Sequence, residues 1–281
     1  MLFLLRKLSI STTSPSLFSV SLSRINIMSS TINNNSNLIS SRLSALAQQL
    51  RLYKPPNLDT DKGASVSQLG FTESAGDQLP EKFNPKRAAV LICLFHGAND
   101  IDGLRVILTK RSSGLSTHSG EVSLPGGKTE EDDVDDADTA TREAKEEIGL
   151  EPSLVNVVAV LEPFLSKHLL RVVPVIGILS DRNAFIPTPN LAEVDEIFDA
   201  PLEMFLKDEN RKSEEIEWMG NRLLVHYFNY ETGGKNYMIW GLTAGILIRA
   251  ASIVYQRPPA FLEQTPKINL PGAVSIDPKL P

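Results

Sequence analysis

From Ala88 onward the apolar residues come in short runs, "AAVLICLF", "LRVILTK", "VVAVLEPFL", "LRVVPVIGIL", "LLVHYFNY" and "YMIWG", each bounded by polar residues or glycine. Runs of that length closed by turn residues predict β-strands. Two segments carry the helical period instead, residues 139–148 and 242–255, with a short third helix at "PLEMFL". Upstream, Leu43, Leu46, Ala47 and Leu50 recur at helical spacing and predict an amphipathic helix over residues 40–53, which the prolines of "KPPNLD" terminate. Residues 55–84 read as a loop-rich extension. Many strands with few helices among them predict a mixed sheet with helices packed on it, an α/β or α+β domain.

At 281 residues and 42% hydrophobic content, the chain can bury one substantial core. Its net charge of −6 supplies no positive field for a nucleic acid, so none is expected as a partner. A single cysteine, Cys93, excludes a disulfide framework and a cysteine-rich zinc site. The run "IWGLTAGILIRAASIVY" is interrupted by Arg249 and falls short of about twenty apolar residues, so it reads as a core helix and no membrane span is expected. Nothing in length or charge speaks to oligomeric state.

The first residues differ in texture from the rest. Arg6, Lys7 and Arg24 are their only charges, serine recurs, and the first acidic residue is Asp59. That composition predicts an organellar transit segment over residues 1–38, most simply mitochondrial. Met28 offers a second start that would give a shorter cytosolic form. The expected organisation is therefore a leader at 1–38, an extension with one helix at 39–87, a catalytic domain at 88–260 and a tail at 261–281.

The chemistry concentrates in "LPGGKTEEDDVDDADTATREAKEEIGL", residues 124–150. Asp138 or Thr139 can cap a helix there, and Gly149 can end it in the left-handed conformation. On that helix Ala140, Ala144 and Ile148 share one side, while Glu143, Glu146 and Glu147 share an adjoining arc. Like charges so placed repel, which calls for basic neighbours such as Arg142 and Lys145 or for a bound cation. Oxygen ligands without histidine or cysteine suit Mg2+ or Mn2+, with Asp132 and Asp133 as further oxygens.

The order Gly127, acidic loop, Arg142, Glu143, Ala144, Glu146, Glu147, Gly149, Leu150 resembles the Nudix box, G-x5-E-x7-R-E-U-x-E-E-x-G-U with U aliphatic. The interval from Gly127 to Arg142 is one residue longer than that pattern. The segment before it, "LTKRSSGLSTHSGEVSLPGGK", resembles the coenzyme A pyrophosphatase branch of the family, L-L-T-x-R-S-x3-R-x3-G-x3-F-P-G-G, a branch that also carries the longer loop. Leu108, Thr109, Arg111, Ser112, Gly120, Pro125, Gly126 and Gly127 match; Ser116 replaces an arginine and Leu124 a phenylalanine. Later segments, "EPFLSKHLLRVVPVIGIL" and "PNLAEVDEIFDAPLEMFL", resemble the same branch, and residues 40–260 as a whole resemble its plant organellar members.

The resemblance implies a Nudix α/β/α sandwich with a mixed sheet, and hydrolysis of coenzyme A to 4'-phosphopantetheine and adenosine 3',5'-bisphosphate with Mg2+ or Mn2+. It implies Glu143, Glu146 and Glu147 as metal ligands and Arg142 as the residue that orients Glu143. Lys110, Arg111, Gly126 and Gly127 stand where the substrate's phosphates would lie. For the general base three carboxylates remain open: Glu143, Glu193 and Glu196. Lys167, His168 and Arg171 form a basic group suited to a 3'-phosphate. Because Ser116 removes one potential phosphate contact, ADP-ribose, NADH and oxidised nucleotides stand as alternative substrates. From another class comes a module that binds a nucleotide or a protein without turnover.

Overall fold

In the computed structural model the described residues are 38–55, 86–97, 103–166, 168, 170–218 and 221–263. Two compact units divide the chain between Arg42 and Leu43, and of the first only residues 38–42, the opening turn of helix α1 (residues 38–51), are described. The leader, Met28, Lys167 and the tail from residue 264 lie outside the described residues.

The main sheet has the order β3-β2-β1-β7-β5, with β4 added to β1, β6 to β7 and β8 to β2. Its centre is β1 (Arg87–His96), paired in parallel with β7 (Arg171–Leu179) and antiparallel with β2 (Leu104–Arg111) and β4 (Gly126–Lys128). Strands β3 (Val122–Ser123), β5 (Val155–Val160), β6 (Phe164–Leu165) and β8 (Val194–Pro201) complete it, all antiparallel to their neighbours. The sheet is thus mixed, as expected.

Along β1 the odd positions Ala89, Leu91, Cys93 and Phe95 pack beneath helix α2 (Asp136–Ile148), which contributes Ala140, Ala144 and Ile148. The even positions Ala88, Ile92 and Leu94 are buried as well. A strand buried on both faces must be covered on both, and the fold is an α/β/α sandwich. Helix α3 (Gly241–Tyr255) is apolar nearly all round and joins the sheet through a Thr243 hydroxyl bond to the Val122 carbonyl, 3.2 Å. Helix α1 buries Leu43, Ala47 and Leu50 and meets α3 through a Gln49 amide bond to the Val254 carbonyl, 3.2 Å. Arg249, the charge that interrupts α3, reaches Glu162 and Tyr53, and the Tyr53 hydroxyl donates to Glu162 at 2.6 Å.

The structure departs from sequence expectation in three places. Helix α2 begins a turn earlier, because the Asp135 carboxylate accepts the Asp138 N–H at 2.9 Å and serves as N-cap in place of Asp138 or Thr139. "PLEMFL" forms a 3-10 turn, Leu202–Leu206, too short to be an α-helix. "LLVHYFNY" and "YMIWG" leave the main sheet and build their own, β9 (Arg211–Trp218), β10 (Asn221–Thr232) and β11 (Lys235–Trp240), in the order β11-β10-β9. Strand β9 went unread because "RKSEEIEW" has almost no apolar content; backbone pairing to β10 forms it regardless. Among the described residues no helix is long and apolar enough to cross a membrane.

Candidate active site

Helix α2 has a narrow footing: Ala140 and Ala144 are fully buried, and their small side chains let the helix approach β1 and β4 closely. That approach brings Glu147 against Gly126 and Gly127 at the start of strand β4. Its side chain is 3% exposed, accepts the Gly126 N–H at 3.3 Å, and faces the Arg111 guanidinium at 3.8 Å. Gly126 has φ +154°, and a Cβ there would strike the backbone of Ala89 and Val90. A Cβ on Gly127 would fall on the Glu143 carboxylate. Gly127 therefore leaves the room that the Glu143 carboxylate occupies, while Gly126 lets the chain press against β1 and offer its N–H to Glu147.

Burial dominates the electrostatics of these carboxyls. It pushes Glu147 up to about 7, assisted by the negative charges of Glu143 and Glu193 and opposed by the Gly126 N–H and Arg111. Glu143 is also raised, first by burial and then by Glu146 and Glu193, with Arg142 pulling the other way. Glu146 is more than half exposed and meets Arg142 at 3.2 Å.

Arg142 is the hub of this face. It binds Asp133 through two nitrogens at 2.8 and 3.0 Å, donates to the Lys128 carbonyl at 3.0 Å, and touches Glu143 at 3.4 Å. Asp133 also accepts the Thr139 hydroxyl at 2.8 Å, and Arg142 holds its carboxyl well below the usual range. The expectation of Asp133 as a cation ligand is corrected here: its oxygens are committed to Arg142. Exposed Asp132 takes no part in that clamp. Arg142, fixed in this way, stands against the Glu143 carboxylate.

Of the two later candidates for the base, the structure brings only Glu193 to α2. The loop before β8 caps the helix end, with Thr188 N–H on the Ile148 carbonyl and Asn190 N–H on the Glu147 carbonyl, both 2.9 Å. The Asn190 carbonyl then accepts the Glu193 N–H, and the Glu193 carbonyl accepts Ser112 N–H at 2.8 Å. Glu196 faces the second sheet instead. Lys235 at 2.6 Å and the Tyr237 hydroxyl at 2.8 Å bind it and lower its carboxyl, with Lys110 farther off at 3.5 Å. Lys110 is thereby drawn away from its neighbour Arg111. Sequence reading missed Asn190, Thr188, Lys235 and Tyr237, for which no local signal exists.

Among the described residues no three His, Cys, Asp or Glu side chains converge as a formed metal cluster. Arg111 and Arg142 hold the glutamates apart in pairs. The donor set nevertheless fits a hard divalent cation: all oxygen, with a carboxylate buried at the cost of its charge and a second seated in the cradle that Gly127 leaves. Glu143, Glu146 and Glu147 could hold such an ion.

A model of the NUDIX domain matches residues 85–222, from β1 through both candidate loops to the start of β10. Nudix hydrolase 15, mitochondrial, of Arabidopsis thaliana is 72% identical over 211 residues, covering 74% of this chain and 73% of its own length. The chain belongs to the Nudix hydrolase family. Nudix hydrolase 22, chloroplastic, of the same plant is 65% identical over 245 residues, 83% of this chain and 80% of that protein. Peroxisomal coenzyme A diphosphatase NUDT7 of Mus musculus is 40% identical over 160 residues, 56% of this chain and 67% of the relative. Among solved structures a C. elegans Ap4A hydrolase complex shares 18% identity at a TM-score of 0.34, over 41% of this chain and 80% of that one. The Nudix box thus lies on α2 and the turn before it, where the glutamates, Arg142 and the two glycines meet.

Proposed function

We propose that this Nudix hydrolase is a Mg2+- or Mn2+-dependent diphosphatase acting on coenzyme A or its acyl derivatives, released as 4'-phosphopantetheine (or its acyl form) and adenosine 3',5'-bisphosphate. The observation that carries the reading is the buried Glu147 carboxylate beside Gly126, with Glu143 over Gly127 and Arg142 behind it. Substrate choice is supported by the matched residues from Leu108 to Gly127 and by the name of the murine relative.

A bound divalent ion neutralises diphosphate oxygens and makes a water more acidic. The chain's residues do the rest. Glu143, Glu146 and Glu147 would hold the ion, and Arg142, fixed by Asp133, keeps Glu143 in place. Glu193, delivered by the capped loop, accepts the proton as water oxygen bonds to one phosphorus and the bridging P–O bond breaks. Arg111, beside Glu147, faces the phosphates, while Lys110, expected there as well, is held by Glu196 toward the second sheet. Residues 1–38 direct the protein to an organelle, the mitochondrion first; 39–87 form an extension, 88–260 the hydrolase domain and 261–281 a tail. The names of the two plant relatives support an organelle.

The test is turnover of coenzyme A, ADP-ribose, NADH and 8-oxo-dGTP by the full chain with Mg2+ or Mn2+, beside Glu147→Gln, Glu193→Gln and Glu196→Gln. Highest kcat/KM on coenzyme A, with Glu193→Gln losing roughly a hundredfold or more and Glu196→Gln little, is the expected outcome. Preference for ADP-ribose or NADH would shift the substrate to the second reading, which Ser116 favours. No metal-dependent turnover at all would replace the enzyme with a binding module.

A further inference from the structure

Two histidines face each other outside the carboxylate site. His118, in the loop between β2 and β3, and His168, in the loop between β6 and β7, bring their Nε2 atoms to 3.1 Å, with ring planes nearly perpendicular. Both loops leave the sheet at one end, where β2 finishes and β7 begins. The other two histidines are elsewhere: His96 turns Nδ1 toward the Gly97 carbonyl, and His226 is buried beside Arg211. Cys93, the one thiol, is sealed in the core.

Three features make the pair more than a chance contact. The Glu121 carboxylate holds His118 Nδ1 at 2.8 Å, which orients the ring so that its Nε2 faces His168. This carboxylate–imidazole arrangement is how metal-bound histidines are commonly oriented. His118 holds φ +54°, a left-handed conformation uncommon for a residue other than glycine. The separation also suits a shared ion: with metal–nitrogen bonds of about 2.0–2.1 Å, two ligands at angles between square and tetrahedral stand about 2.9–3.4 Å apart. Both rings are exposed, so an ion has access.

We propose that His118 and His168 bind one nitrogen-preferring divalent transition metal ion, of the Zn2+, Ni2+ or Cu2+ class, with Glu121 orienting His118 and water in the remaining positions. The ion clips the two loops together. Imidazole nitrogens select such ions over Mg2+ and Mn2+, which the oxygen-only carboxylates of α2 suit. The two sites thus suit different ions, and a metal at the histidines would take His168 from the 3'-phosphate group expected from the sequence.

The test is calorimetric titration of the untagged full-length protein with Zn2+ in excess Mg2+, which competes at the carboxylates. It is run on wild type, His118→Ala, His168→Ala, Glu121→Gln and Glu147→Gln. Expected is one Zn2+ per chain in wild type and Glu147→Gln, lost in either histidine variant and weakened roughly ten- to a hundredfold in Glu121→Gln. Co2+ absorption provides a second reading, with visible ligand-field bands that vanish in the same two variants. Absence of Zn2+ binding in wild type, survival of it in either histidine variant, or its loss in Glu147→Gln would overturn the proposal.

Discussion

Helices α2 and α3 are nearly equal in length, 13 and 15 residues, and both lie on sheets, yet they solve opposite problems. Helix α3 buries Ala244, Ile246, Leu247, Ile248, Ala250, Ala251 and Val254 around most of its circumference, and its single charge, Arg249, is answered by Glu162. Helix α2 buries a strip of alanines and threonines with Ile148, and takes a glutamate into the interior along with them. The difference teaches that stability and chemistry draw on separate helices here. Helix α3 contributes apolar area; α2 spends that surplus on holding charge where water cannot solvate it.

The comparison breaks hardest at Glu147. Glu147→Gln is expected to lower kcat roughly a thousandfold while making the metal-free protein more stable at pH 8. The sign follows from linkage. A carboxyl raised from 4.5 to about 7 contributes stability that is full below pH 4.5 and lost as pH rises through 7, on the order of 3 kcal/mol at about 1.4 kcal/mol per pH unit. Urea unfolding of both proteins in EDTA at pH 5 and pH 8 checks it; equal slopes with pH would refute the burial of that charge.

Leu247→Ala on α3 should cost about 2–5 kcal/mol of unfolding free energy and leave kcat of the folded fraction unchanged, as measured by unfolding and initial rates. Ala144→Leu on α2 sharpens the contrast. Overpacking should cost only about 1–3 kcal/mol, yet lifting α2 from β1 separates Glu147 from Gly126, so activity falls even in the folded protein. The smallest effect is expected at Asp133→Asn. Its carboxyl is held low, so its stabilisation is present above the ordinary aspartate range and lost as pH falls through it, and the variant should lose about 1 kcal/mol at pH 7.

Much of this was legible in advance because α2 is a local object. The order Arg142, Glu143, Glu146, Glu147 sets the face of a helix, whereas Gly126 and Gly127, which read as a turn, pair with β1 as strand β4. What depended on distant pairing was not. Glu193 and Glu196 look equivalent in "AEVDEI", and only the irregular register of β8 on β2, where Lys110 pairs Glu196 and Arg111 pairs Val194, separates them. Strand β9 is invisible to any apolar pattern, and the role of Asp133 requires knowing that its loop folds back over Arg142.

The triad of Tyr53, Glu162 and Arg249 ties the end of α1 to α3. Leu43, Ala47 and Leu50 are buried, and Tyr53 anchors the helix end to α3. Loss of the segment through Tyr53 would therefore remove the Gln49 and Tyr53 contacts on α3 and leave Arg249 to share its charge with Glu162 and water alone.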